Sequence, residues 1–357
     1  MSEKLPIIQV HGSHYEIGTQ IGESMRPQIQ HGIENAKVLI QKAYDQLQLN
    51  WDGAIIQAKK YIPFAEERYP QYVDEMKGIA DGANVPYDEI RVVNAMEAVT
   101  SDALHLTKCT SFSVNQSMTA KGNVLIAHNE DWTPDEEPDV YLIHAKPTDE
   151  PPFLAMTYGG LLPNIGFNAN GISQCCDSVY PNDSRMGIPR IIYSRAVLAA
   201  TTPADAIRRI LVPQRAAGYN HLIVHESGEM YNIEVSARQF GMLSGEDGYL
   251  VHTNFYLDQQ MRLLEDEPDE LISARVRYYR ALRLLKQSDK HTVNSLQTIQ
   301  KDHINYPDSI CNHGIDQNVL NSEKTIMSMV IDLTNRQMHA AWGSPCKSTY
   351  NTYQLSD

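Results

Sequence analysis

The sequence predicts a layered α+β fold. Three observations carry that reading: a helical stretch over roughly the first hundred residues, an abrupt change to strand-like segments at Cys109, and helices that return only between later strands. Alternating βαβ units would mix helices and strands from the start.

The helical part opens after a short strand-like stretch from Ile7 to Val10. Ser13-His14-Tyr15-Glu16 reads as a capping box, and Ile17, Ile21, Met25, Ile29 and Ile33 then recur on one helical face. A second helix is expected from about Ile55 to Tyr69 and a third from Tyr72 to Ala80, stopped at Asp81-Gly82. From Cys109 to Val114 and from Val124 to His128 the pattern is that of two strands joined across Ala120-Lys121-Gly122-Asn123, a hairpin. Further strands are expected at Val140 to Ala145, Phe153 to Thr157, Asn164 to Phe167 and Gly171 to Cys176, with a tight turn at Asn168 to Gly171. Thr202-Pro203 caps and opens another helix, and strands return at His221 to His225, Met230 to Val235 and Tyr249 to Thr253. A helix over Leu271 to Leu285 and two strands between Lys324 and Trp342 complete the pattern.

Composition narrows the function. The 357 residues carry a formal net charge of −14, which argues against a nucleic-acid partner because phosphate binding needs clustered Lys and Arg. No run approaches the roughly 18 apolar residues of a membrane span, and no basic start precedes an apolar core, so a cytoplasmic, membrane-free protein is expected. The five cysteines (Cys109, Cys175, Cys176, Cys311, Cys346) are odd in number and scattered, which does not resemble a disulfide framework. Gly-rich phosphate loops, GxSxG and HExxH are absent, which disfavours nucleotide and zincin chemistry. His303, Cys311 and His313 lack a fourth ligand in their neighbourhood, so no metal is expected there.

Several segments then occur in an order that resembles one family. His11-Gly12-Ser13-His14-Tyr15-Glu16-Ile17-Gly18 with Gly22, the stretch Glu75 to Ala83, Asn94 and Cys109-Thr110 are followed by Asn129-Glu130-Asp131-Trp132 and Gly166-Phe167-Asn168-Ala169-Asn170-Gly171. His252-Thr253-Asn254, Ser273-Ala274-Arg275 and Asp302 to Pro307 with Ser309-Ile310-Cys311 complete the set. Together they resemble the acyl-CoA:6-aminopenicillanic acid acyltransferase (isopenicillin N acyltransferase) family of cysteine N-terminal-nucleophile (Ntn) hydrolases.

The resemblance implies a four-layer αββα sandwich, self-cleaved at Lys108–Cys109. Residues 1–108 would become a helical small subunit that stays associated, and 109–357 the catalytic chain beginning at Cys109. The freed α-amine, with a pKa near about 8, would serve as base for its own thiol. Asp131 would orient that amine, Asn254 would donate to the oxyanion, and Arg275 would stabilise the thiolate, with Arg277 and Arg280 on the same helix leaving the register open. Thr110, His128 and Asp177 are the expected substrate-binding residues. His128 stands where bile-salt hydrolases carry Arg, and Lys108 where the penicillin-forming enzyme carries Gly. The implied activity is splitting or transfer at the C–N bond of a small N-acyl amide, with hydrolysis favoured because water needs no acceptor pocket. No cofactor is implied, although a CoA thioester could act as acyl donor or acceptor, and homo-oligomerisation is left open. The competing readings are an uncleaved amide-binding protein of the same fold and a metal-dependent hydrolase.

Overall fold

The structure is a computed structural model that describes residues 4–100, 108–266, 271–314 and 323–356. Fourteen strands, numbered in chain order, form two sheets among these residues. The larger sheet runs β1 (Ile7–Gly12), β4 (Val140–Pro147), β5 (Phe153–Tyr158), β6 (Ile165–Asn168), β7 (Ile172–Asp177), β8 (Tyr219–His225), β9 (Met230–Val235) and β10 (Phe240–Ser244). The smaller runs β11 (Tyr249–His252), β2 (Lys108–Val114), β3 (Leu125–Trp132), β12 (Lys324–Asp332), β13 (Gln337–Trp342) and β14 (Asn351–Gln354). Only the pairing of β1 with β4 is parallel among these ladders.

The sheets pack face to face, and polar bonds cross the interface: Ser111 Oγ reaches Asp177 of β7 and Asn232 Nδ2 of β9 reaches the carbonyl of Val251. Helices cover both outer faces. The N-terminal helices with Pro203–Ile210 lie over the larger sheet, while Ile272–Leu285 and Val293–Gln300 cover the smaller one. The result is the expected four-layer αββα sandwich. Because the central strands are covered on both faces, β2, β3 and β7 are buried along almost their whole length, and their sequences lack simple alternation. No helix among the described residues is long and apolar enough to cross a membrane.

Three local expectations need correction. The helix expected from about Ile55 to Tyr69 is two, Trp51–Lys59 and Ile62–Arg68, with Pro63 in the first turn of the second. The four-residue apolar repeat from Ile17 to Ile33 spans two helices, His14–Ser24 and Arg26–Lys42, because Pro27 in the first turn of the second has no N–H to donate to the Glu23 carbonyl. Gly82 does not stop its helix, which runs Pro70–Ala83 and ends on left-handed Asn84 (φ 55°). Gly82 serves packing instead. Helices His14–Ser24 and Pro70–Ala83 cross at Gly18 and Gly22 on one side and Gly78 and Gly82 on the other. A Cβ on Gly18 would stand 2.0 Å from the Glu75 carbonyl oxygen, and one on Gly78 2.2 Å from that of Tyr15. Backbone touches backbone, so no side chain fits.

That contact delivers Glu75, fully buried, to a charge network joining both sides of residue 108. Glu75 accepts from Arg195 (Nη2–Oε2 3.0 Å) and lies 2.8 Å from His14 Nδ1, while Arg195 also pairs with Glu150 at 3.1 Å. Burial alone would depress the His14 imidazole, but its bonds to Glu150 and Glu75 prevail and hold its pKa at about 9. The stability this contributes is fully present below the ordinary value of 6.5 and is lost as pH rises through about 9.

Removing one partner of a buried pair strands the other charge. Glu75→Ala is therefore expected to cost about 3–5 kcal/mol. Urea denaturation should show this loss, together with a weaker decline in stability between pH 6.5 and pH 9 than in the wild type. An unchanged midpoint would mean that the network carries no net stability.

Candidate active site

The site is built on the first residues of β2, paired with β3 on one side and β11 on the other. The β2–β3 register sets Lys108 against Asp131, Cys109 against Glu130 and Ser111 against His128. Alternation along a strand then sorts these side chains into two sets. Cys109, Ser111, His128 and Glu130 face the larger sheet, and Thr110, Asn129 and Asp131 face the helical layer.

Every group of Cys109 is held. Its amide N–H donates to Asn254 Oδ1 at 2.8 Å, its carbonyl accepts from Arg277 Nη1, and its thiol lies 3.7 Å from Glu130 Oε2. Arg277 also donates to Thr110 Oγ1 and to Asn254 Oδ1, each at 2.9 Å. Asn254 thus accepts two bonds at its oxygen, and its nitrogen donates to the Ser178 carbonyl at 3.0 Å, which fixes the amide orientation. Burial pushes the Cys109 thiol well above its ordinary value, and Glu130, Asp177 and Asp131 push it further than Arg277 pulls it back. In the intact chain this sulfur is a thiol.

The arginine beside Cys109 is Arg277. Arg275 is two positions away and so about 200° around the helix. It pairs with Glu265 at 3.1 Å and lies over the Phe255 ring. Asp131 is fully buried beside β2 but is not bonded to the Cys109 nitrogen. One oxygen accepts from Thr325 Oγ1 and the other, Oδ2, has no partner among the described residues. Lys108 adopts ordinary strand geometry and pairs with buried Glu323 at 2.9 Å, so the backbone there does not require glycine.

The cavity beside Cys109 leaves only about 10 Å³, close to the room one water needs. Glu97, Glu130, Tyr158, Ser178, Arg190 and Tyr219 give it its polar wall, with Met156, Leu161 and Ile191 apolar. Glu97, Tyr158 and Leu161 also border a second, more apolar cavity of about 50 Å³ under Leu39, Met96 and Trp132. Both walls therefore mix residues from before and after position 108. The three expected substrate contacts, Thr110, His128 and Asp177, are not in this wall. Thr110 is taken by Arg277, His128 bridges Ser111 and Glu130 (2.9 and 2.8 Å), and Asp177 accepts from Ser111 and Asn220.

Sequence reasoning passed over Glu130, Glu97, Tyr158 and Arg190. Glu130 was findable, since hairpin pairing of the two strands already sets it opposite Cys109. The others come from distant segments and carry no local signal. The remaining motif residues are structural. Asn94 bonds the Gly160 carbonyl and the Leu162 amide, and Asn168 bonds the Leu198 and Ala200 carbonyls.

With this geometry in view, comparison with known proteins is informative. A family model described as acyl-coenzyme A:6-aminopenicillanic acid acyl-transferase matches residues 118–347. The chain belongs to that family. It is thereby an enzyme of the amidase and acyltransferase class, although the matched span begins after Cys109. It is similar to the acyl-coenzyme A:6-aminopenicillanic-acid-acyltransferase 40 kDa form of Emericella nidulans, with 24% identity over 95% of this chain and 92% of that one. It is also similar to the beta-alanyl-dopamine/carcinine hydrolase of Drosophila melanogaster, with 24% identity over 76% of each. Among solved structures, penicillin V acylase from Agrobacterium tumefaciens aligns with TM-score 0.49 and 14% identity over 68% of this chain and 84% of that one. The Caenorhabditis elegans N-acylethanolamine-hydrolyzing acid amidase ortholog aligns with TM-score 0.47 and 15% identity over 70% of this chain and 100% of that one.

Asp131 provides a measurable signature. Burial lifts its carboxyl from 3.8 to about 7, against the opposing pull of Arg277 and Thr325. A raised folded pKa means stability present below pH 3.8 that declines as pH rises to about 7. In the uncleaved Cys109→Ala background, Asp131→Asn should therefore melt several degrees higher than its parent at pH 8, with the gap closing towards pH 4. Equal melting curves at pH 8 would show that Asp131 is not destabilised by ionising.

Proposed function

We propose that this chain is a self-processing cysteine amidase or acyltransferase that cleaves its Lys108–Cys109 bond and then uses Cys109 as an N-terminal nucleophile. One observation carries the reading. Cys109 is the second residue of β2, with its amide, carbonyl and thiol each held by a different side chain, Asn254, Arg277 and Glu130. Ordinary strand cysteines need no such set.

In the cleavage step the Cys109 sulfur attacks the Lys108 carbonyl carbon while its proton passes to Glu130. Glu130 returns that proton to the nitrogen as the C–N bond breaks, the amine leaves and takes a further proton from solvent to become ammonium, and a thioester joins Lys108 to Cys109. Water opens that ester, returning the Lys108 carboxylate and the free thiol. The new amine stays against Asn254, with Asp131 on the neighbouring strand opposite Lys108, and takes over as base, because Glu130 alone leaves the sulfur protonated. Asp131, with an oxygen unpartnered among the described residues and a carboxyl that ionises near neutrality, is suited to hold an ammonium.

With an amide substrate the same sulfur forms an acyl thioester and releases the amine. Asn254 Nδ2 carries two hydrogens and spends one on Ser178, so the second can meet the oxyanion. Arg277 holds Asn254 in that pose and offsets the thiolate charge. Because Glu97, Met96 and Leu39 border the cavities, residues 1–108 remain part of the active enzyme as a tightly held partner. The substrate class is a small N-acyl amide, and the apolar second cavity suits the acyl half. Water as acceptor makes the enzyme a hydrolase.

Intact mass at neutral pH tests the first step. The wild type should convert from 40.3 kDa to fragments of 108 and 249 residues, and Cys109→Ala should stay whole and inactive on every amide tried. A wild type that stays whole yet turns over would remove self-processing, and an active Cys109→Ala would remove the nucleophile.

Asn254→Ala separates catalysis from packing. Turnover should fall by about 10²–10³, mostly in kcat, since the lost bond forms fully in the transition state. Alkylation of Cys109 in the processed enzyme should change little. A folded variant keeping more than about half of normal kcat, against that expected loss, removes Asn254 from the oxyanion role.

A further inference from the structure

Away from Cys109, four side chains converge that the amide chemistry does not use. His303, Cys311 and His313 are joined by Cys346, which lies 33 residues beyond His313 and supplies the fourth donor that their local sequence lacks. The four donor atoms all lie within 4.8 Å of one another. His313 Nε2 is 3.0 Å from His303 Nε2, 3.5 Å from Cys311 Sγ and 3.4 Å from Cys346 Sγ.

Hydrogen bonding does not account for this. A neutral ring nitrogen either donates one proton or accepts one, yet three polar atoms crowd His313 Nε2. Two imidazole nitrogens and two thiols directed at one point are the donor set of a tetrahedral zinc site. Bond lengths of about 2.0–2.1 Å to nitrogen and 2.3 Å to sulfur set tetrahedral edges near ~3.3 Å for N···N and ~3.6 Å for N···S. The observed 3.0, 3.5 and 3.4 Å match those edges with shifts of a few tenths of an ångström. We propose that His303, Cys311, His313 and Cys346 bind one zinc ion.

The backbone prepares the site. The Cys311 amide bonds to the Asp302 carbonyl at 3.1 Å and closes the loop that carries His303, and Asp302 is anchored by Arg280 at 2.6 Å. Cys346 arrives on the turn after β13. His303 and Cys346 are exposed, which gives an ion a path in, while Cys311 is buried. Two thiolates neutralise the divalent charge. The consequence reaches the active site through one residue. Asn312, between two of the ligands, accepts from the Thr325 amide and donates its own amide to Thr325 Oγ1, each at 2.9 Å, and that hydroxyl donates to Asp131. The ion would clamp three chain segments behind that carboxylate and act in a structural role, independent of whether Cys109 is the nucleophile.

The test uses the full chain, stripped with a chelator under reducing conditions and titrated with Zn²⁺ alone against a chromophoric competitor. One equivalent should be retained and should raise the melting temperature. Co²⁺ in its place should give the visible bands of a tetrahedral ion together with thiolate-to-metal charge transfer. Cys346→Ser and His303→Ala should each weaken binding by more than about 100-fold, since even outer-shell partners of a metal cost roughly 10–100-fold. Their own melting curves without metal report whether they fold. Failure of the stripped wild type to retain zinc overturns the proposal, as does unchanged affinity in a folded Cys346→Ser protein. A wild type whose Cys311 and Cys346 instead form a disulfide, with reduction restoring thiols but no metal binding, overturns it equally.

Discussion

The antiparallel register between β2 and β3 is the constraint on which the site depends. It puts Cys109 opposite Glu130 and Lys108 opposite Asp131, so the thiol and the Lys108–Cys109 peptide each lie beside a carboxylate-bearing residue. A slip by one residue would exchange the two faces and send the sulfur into the helical layer. Two-sided burial forbids that slip, because Phe112 and Val114 fill the core under Ile272–Leu285 while Ser111 and Ser113 meet polar or sulfur partners in the larger sheet.

Around this hairpin the charges are arranged at some cost. Glu130, Asp131, Asp177 and the thiol are buried together with Arg277, whose guanidinium spans Cys109, Thr110 and Asn254. Such an arrangement keeps the sulfur protonated in the intact chain. If the proposed cleavage created a cationic amine among the carboxylates the arrangement would become favourable, which would be a physical reason for a quiet precursor and an active product.

The glycine crossing and the Glu75–Arg195 network have a different task. Helices His14–Ser24 and Pro70–Ala83 touch backbone to backbone and carry His14 and Glu75 onto Arg195 and Glu150. Residues from both sides of position 108 are thereby locked together by buried charge as well as apolar contact. A cut at that position would leave the cavity walls in place. The His303–Cys346 cluster adds a further tie on the opposite flank, behind Thr325 and Asp131.

Much was legible in the chain itself. The capping box at Ser13, the strand texture after Cys109 and the Leu271–Leu285 helix are local, and each rests on short-range periodicity or turn chemistry that the fold respects. The order of motifs indicated the family and the αββα layers. What the sequence could not decide was which side chains meet. Arg275 and Arg277 share a helix and differ only in the face they present, and only packing against β2 turns Arg277 inward. Thr110, His128 and Asp177 read as pocket residues, yet internal partners absorb them. Glu97, Tyr158 and Arg190 reach the cavity from three remote segments, and Cys346 completes a cluster 33 residues beyond its neighbour His313. Periodicity acts within a turn or a hairpin, whereas convergence over tens of residues depends on how the layers close.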